Sequence, residues 1–199
     1  WEDIAANLFM PTDPETGSLV QFEGFPLKTD TRASVGPMWG LFPLGVSCGE
    51  SVDRATQDYY STNMSSYYGM PMSSSYCAVW AARMGQRGEA LNALEKGIAS
   101  RVVPPFMQMT EASTAHGSQP WLTRVTDFVT GQGGFLTAGL LGFAGLQLRP
   151  GLPEETWCAT APALPEGWDA LEVEQVWVKG RPARLLARQG SERAVLETT

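Results

Sequence analysis

The chain has 199 residues, is 43% hydrophobic and 18% charged, and carries a formal net charge of -7 with a pI near 4.7. That composition supports a buried core, and it excludes both a disordered chain and a basic surface for nucleic acid. No apolar run reaches the roughly 18 residues of a membrane-spanning helix, so no membrane partner is expected; the longest run, Gly133 to Leu148, is punctuated by Ala138, Gly139, Gly142 and Gly145 and reads as a buried core helix.

Trp1, Ile4, Ala5 and Leu8 recur at helical spacing, which predicts a helix from Trp1 to Phe9 ended by Pro11. The chain opens inside that helix without Met or a signal sequence, so it reads as a processed or excised piece. "PTDPETGSLVQFEG" is a punctuated loop leading to a short extended piece, Leu19 to Phe22. "SVGPMWGLFPLG" predicts a buried but broken helix. In "ESVDRATQDYYS", Ser51 is the expected N-cap and Asp53 an acidic first-turn residue. "MSSSYCAVWAARMG", with Gly85 as its C-cap, and "RGEALNALEKGIAS" predict a helical hairpin with a very short link. In the second helix Ala90, Leu91, Leu94 and Ile98 share the inner face, with Glu89, Glu95 and Lys96 toward water.

After Gly151 the pattern turns to period 2. Leu171, Val173 and Gln175 alternate with Glu172, Glu174 and Val176, and Lys179-Gly180 and Gln189-Gly190-Ser191 read as hairpin turns. Length allows one large domain or somewhat more. The class is mainly α with a β tail, helical over 1–148 and β over 149–199. Cys48, Cys77 and Cys158 form no CxxC pair, and with a single histidine no zinc spacing exists. All three cysteines are expected to be packed thiols.

One stretch stands apart. In "PPFMQMTEASTAHGS" an apolar, extended half runs into a single carboxylate, Glu111, with no basic residue beside it in sequence. Taken alone, such a residue is most often a solvated loop carboxylate.

Read in order, a series of segments resembles the C-terminal region of glycoside hydrolase family 65. These are Trp1, Ile4 and Ala5 of "W-x-x-I-A", Pro11 and Asp13 of "P-x-D", "QFEGF", "FPLG", "DYY", "AARMG", "TGQGGFLTAGLLGFAGLQL" and "LPEGWDALEVEQV". The resemblance implies the last part of an (α/α)6 barrel over 1–148 and a small β-sandwich over 149–199. It also implies an α-glucoside substrate of disaccharide type, no metal or organic cofactor, and an inverting reaction. The missing barrel helices would leave a broad apolar face, so the chain is expected to need a companion segment, either the rest of the polypeptide or a separate fragment. A homodimer is one assembly the resemblance allows.

Inversion takes two carboxyl groups about 6.5–9.5 Å apart, one protonating the departing oxygen and one deprotonating water. The resemblance puts the acid upstream of the "W-x-x-I-A" helix, outside this chain. It puts the base of hydrolytic members in the loop before the "T-G-x-G-G" helix, where Glu111 is the only carboxylate of "PFMQMTEAS". Phosphorylases of the family instead hold phosphate with His and hydroxyl residues before the "AAR" helix. The corresponding residues here are Tyr68, Gly69, Met70 and Pro71, a poor anion site, which favours water as the nucleophile. "AHGS" repeats those phosphate-loop letters in the wrong place, and His116 reads as a polar loop residue.

For the sugar, the candidates are Gln21, Phe22 and Glu23 of "QFEGF", with Trp39, Tyr67, Tyr68 and Trp121 as stacking platforms. Ala33-Ser34 stand where the family carries Lys-Gln, which leaves the substrate's identity open. The competing readings are a phosphorylase of the same family and a non-catalytic carbohydrate-binding chain. "TGQGG" follows no βαβ strand, so it is read as letting a helix start pack tightly rather than as a dinucleotide site.

Overall fold

The computed structural model describes residues 1–27, 36–42, 44–62, 71–111, 127–158 and 160–198. The chain divides into two units, Trp1–Tyr67 and Tyr68–Thr199. The expected boundary after residue 148 falls within the second unit.

In the first unit, α1 spans Glu2–Ala6 and buries none of its residues. It is shorter than the apolar spacing predicts. The backbone and side-chain amides of Asn7 both donate to the Asp3 carbonyl, and the side chain also reaches Asp3 Oδ1, so the last turn closes there. The Asp13 carboxylate then accepts from the Glu15 and Thr16 amides and the Thr16 hydroxyl, folding a tight turn that pairs Thr12 with Leu19. Of the expected extended piece, Leu19 pairs with Thr12 and the Val20 amide donates to the Pro11 carbonyl at 3.0 Å, before the chain bends at Gln21.

This turn is bound to α3, Glu50–Thr62. The Leu19 amide donates to Thr56 Oγ1, Ser18 Oγ donates to the Ala55 carbonyl, and the Tyr60 hydroxyl donates to the Leu19 carbonyl. Ser51 lies inside α3 and is not its N-cap. Asp53 reaches back instead, accepting from the Cys48 amide at 2.9 Å and the Ser47 hydroxyl at 2.5 Å. The short α2, Gly36–Leu41, buries Met38, as its Gly/Pro interruptions predict.

The second unit is organised around α4, Pro71–Arg83, which buries nine of its residues. Gly85 (φ +78) ends it, with the Gly85 and Gln86 amides closing on Ala82 and Ala81. After this short link, α5 runs over Arg87–Gly97 with Ala90, Ala93, Leu94 and Gly97 inward. Ala93 takes an inner position, whereas the predicted Leu91 is half-buried.

Helix α6, Val129–Thr137, continues into a π-helical turn, Ala138–Phe143. The contacts with α4 are made through missing side chains. A Cβ on Gly97 would lie 1.9 Å from Ser74, and one on Gly142 would lie 2.3 Å from Val79. Gly134 lies over Met72 and Ser75 with more room, since a Cβ there would stand 3.4–3.5 Å from them, at ordinary contact distance. Arg83 donates to the Leu141 and Gly142 carbonyls, satisfying acceptors that the π turn leaves open.

A short helix, α7 (Pro153–Thr156), precedes the three-stranded antiparallel sheet of β3 (Ala170–Val178), β4 (Arg181–Arg188) and β5 (Val195–Thr198). Two short strands, β1 (Val102–Val103) and β2 (Gln108–Met109), lie earlier in the chain. Lys179 and Gly180, both at positive φ, make the predicted two-residue hairpin turn. The predicted alternation fails midway along β3. A bulge between Val173 and Val176 adds a residue, so Val176 joins the half-buried Leu171 and Val173 while Gln175 is exposed. Inward residues of the sheet, including Leu185 and Leu196, pack with Ala144, Leu146 and Cys158. Arg87 binds this region to α5 by donating to the carbonyls of Leu164, Pro165 and Trp168.

Cys77 and Cys158 are the expected packed thiols, while Cys48 is only half-buried. Burial, with Glu89 second, pushes Cys77 up to about 12.

The close approach of α4 and α5 generates a direct prediction. Gly97→Ala should destabilise the protein by about 1–3 kcal/mol, the usual cost of forcing atoms into a filled contact. A urea midpoint unchanged from wild type would show that Ser74 does not hold that contact.

Candidate functional site

Glu111 is placed by a chain of short elements that begins at the end of α5. A single 3-10 turn, Ala99–Arg101, leads into β1, Val102–Val103, which pairs antiparallel with β2, Gln108–Met109. The hairpin lies within the mainly helical 1–148 part, at the stretch whose apolar first half reads as extended. Its signal is present in "VVPPFMQM", where a β-branched pair is followed by two prolines that cannot continue a helix. Phe106 and Met107 form its exposed tip, and Met107 takes a left-handed φ of 54°.

The root of this hairpin is polar and buried. Arg101 is 5% exposed and Thr110 is fully buried. The Thr110 amide and hydroxyl both donate to the Arg101 carbonyl, at 2.8 and 3.2 Å. The Arg101 side chain donates from Nε to the Gly97 carbonyl at 2.9 Å and from Nη1 to the Glu111 carbonyl at 3.3 Å. Burial holds the Arg101 guanidinium below its usual pKa. Sequence reading passed over both residues. The available signal was an arginine ending an amphipathic helix, where a cation can bind the last carbonyls.

The other side of β2 meets the Gly-rich helix. The Met109 carbonyl accepts from the Phe128 amide at 2.9 Å, directly before α6. A Cβ on Gly131 would lie 2.5 Å from Met109 Sδ and 3.0 Å from Pro71, so "TGQGG" does serve close packing. Glu111 leaves this packed root half-buried, and among the described residues its carboxylate has no hydrogen bond or ion pair. A carboxylate in that setting keeps its lone pairs for water or a substrate hydroxyl.

The sugar-contact candidates of the first unit are more open. Gln21 lines a shallow groove of about 530 Å³ with Phe9, Met10, Pro11, Pro37 and Gly40 among its walls. Phe22 is exposed and stands edge-on to the buried Phe25, with ring centroids 5.1 Å apart. Glu23 is exposed, and Trp39 is half-buried on α2 beside Gly40. Only Gln21 of these four lines the groove itself. Tyr67, Tyr68, His116, Trp121 and the Ala33-Ser34 pair lie outside the described residues.

No family model matches the chain. Among curated proteins, the protein-glucosylgalactosylhydroxylysine glucosidase of Danio rerio is 27% identical over 180 residues, covering 90% of this chain. The chain is related to a glycoside hydrolase. It spans 25% of that relative's length.

Because the Glu111 side chain holds nothing together among the described residues, Glu111→Gln should change unfolding free energy by no more than about 0.5 kcal/mol. A loss of several times that in a denaturant titration would assign Glu111 to the scaffold instead.

Proposed function

We propose that the chain is the C-terminal catalytic part of an inverting α-glucoside hydrolase related to family 65, with Glu111 as its general base. The observation that carries this reading is the similarity to a glucosidase along nearly the whole chain. An acid from the remainder of the enzyme protonates the glycosidic oxygen as the bond to the anomeric carbon breaks. Water attacks that carbon from the opposite face, and Glu111 takes its proton, leaving the product with inverted configuration. The relative's name specifies a glucosylgalactosyl unit, in keeping with a disaccharide-type substrate.

The barrel and β-sandwich architecture belongs to the same proposal. The α4–α5 hairpin with α6 beside α4 supports a helical barrel segment, and the β3–β5 sheet supports part of a sandwich. A companion segment is supported by exposed apolar groups. Trp1, Ile4, Leu8 and Phe9 are exposed in the first unit. In the second, an apolar groove of about 430 Å³ runs beside Leu136, Leu140, Trp168 and Trp177.

Water is favoured over phosphate as the nucleophile. Met70 and Pro71 stand where phosphorylases of the family carry hydroxyls, and Pro71 opens α4 without an amide proton. In the first unit, Gln21 lines a groove with apolar walls, a surface suited to a pyranose ring. Phe22, Glu23, Trp39 and Tyr68 complete the proposed sugar contacts.

The test uses the full-length protein that carries this chain, assayed on α-glucosides with and without inorganic phosphate. Free glucose is expected in both conditions, and Glu111→Gln should lower kcat by about 10²–10⁴-fold, the usual worth of a general base. Glucose 1-phosphate formed only with phosphate would assign phosphorolysis. No turnover in either condition would assign a carbohydrate-binding role.

A further inference from the structure

We infer that Arg101 is a positioning residue for Glu111, fixing the backbone from which the catalytic carboxylate projects. The inference rests on the proposed reading of Glu111 as the general base. Among the described residues the Glu111 carboxylate has no hydrogen bond or ion pair to orient it, so its aim depends on its main chain. That main chain is held from one side by a buried guanidinium. Nη1 of Arg101 reaches the Glu111 carbonyl at 3.3 Å, while Nε holds the Gly97 carbonyl at 2.9 Å. The same residue's carbonyl accepts from the Thr110 amide and hydroxyl. One side chain and one carbonyl therefore bind residues 97, 110 and 111 into a single knot.

The choice of arginine is informative. Burying a charge is costly, and a side chain needed only to fill space would be apolar. A planar fork can reach two carbonyls in different directions, whereas an ammonium on a flexible stem cannot hold both with the same geometry. Gly97 is itself fixed against Ser74 by the α4–α5 contact. The position of Glu111 is thus referred back to the closely packed α4–α5 pair. A base that must meet one water at one carbon loses rate steeply when displaced, by about 10²-fold for roughly 1 Å.

The test is a double-mutant cycle in the full-length protein, comparing wild type, Arg101→Lys, Glu111→Gln and the double variant, with a urea titration on each. Arg101→Lys is expected to lower kcat by about 10–100-fold with KM within about twofold, as a small misplacement of the base requires. In the Glu111→Gln background the same change should have little further effect, because the group it positions is gone. Equal losses of kcat in both backgrounds would overturn the inference, as would wild-type kcat in Arg101→Lys. If Arg101→Lys does not fold, Thr110→Val removes one bond of the knot at nearly constant volume and must show the same dependence on Glu111. Full activity in Glu111→Gln alone would instead overturn the assignment of the base, so the two failures are read from different variants.

Discussion

The second unit depends on how closely its helices approach α4. Ser74 and Ser75, with Ala78, Ala81 and Ala82, give this helix small, buried faces. Gly97 and Gly142 present bare backbone to it. At such separations there is little freedom to slide or rotate, because any added carbon meets an atom already in place. The constraint reaches beyond the core. It fixes where α5 ends, and hence where Arg101 enters the interior, and it fixes where α6 begins, beside Met109. Glu111 emerges between these two fixed points.

For the proposed base, this arrangement separates two tasks that a general-base carboxylate must combine. It has to be rigidly placed, yet its oxygens must remain available to a reacting water. Here rigidity is supplied through the main chain by buried polar groups. The oxygens keep their accepting capacity because no described side chain uses them. The Gly-rich stretch contributes shape rather than chemistry. Gly131 admits the Met109 side chain and Pro71 to the start of α6, which brings the hairpin root and two helix starts together.

Much of the local structure was legible in the sequence, because spacing and punctuation determine it. The α4–α5 hairpin followed from two helical runs joined at Gly85, and the β3–β4 hairpin from Lys179-Gly180. Three features were not legible. The bulge near Glu174 and Gln175 reverses the inward phase of β3, and a bulge leaves no mark in a simple alternation of residue types. Asp53, read as a generic first-turn acid, is a specific partner of Cys48 and Ser47. The importance of Arg101 depends on its burial against Thr110 and Glu111, a tertiary fact that helical periodicity does not encode. Glu111 itself could be singled out only through resemblance, since a lone loop carboxylate has no periodic signature.

The central claim is that Glu111 deprotonates the attacking water, and azide tests it most directly because it attacks carbon without losing a proton. In the full-length protein, Glu111→Ala should lose hydrolysis of an α-glucoside and regain turnover when azide is supplied, yielding the β-glucosyl azide. Unimpaired hydrolysis by Glu111→Ala, or a lost activity that azide restores only as the α-glucosyl azide, would contradict the account.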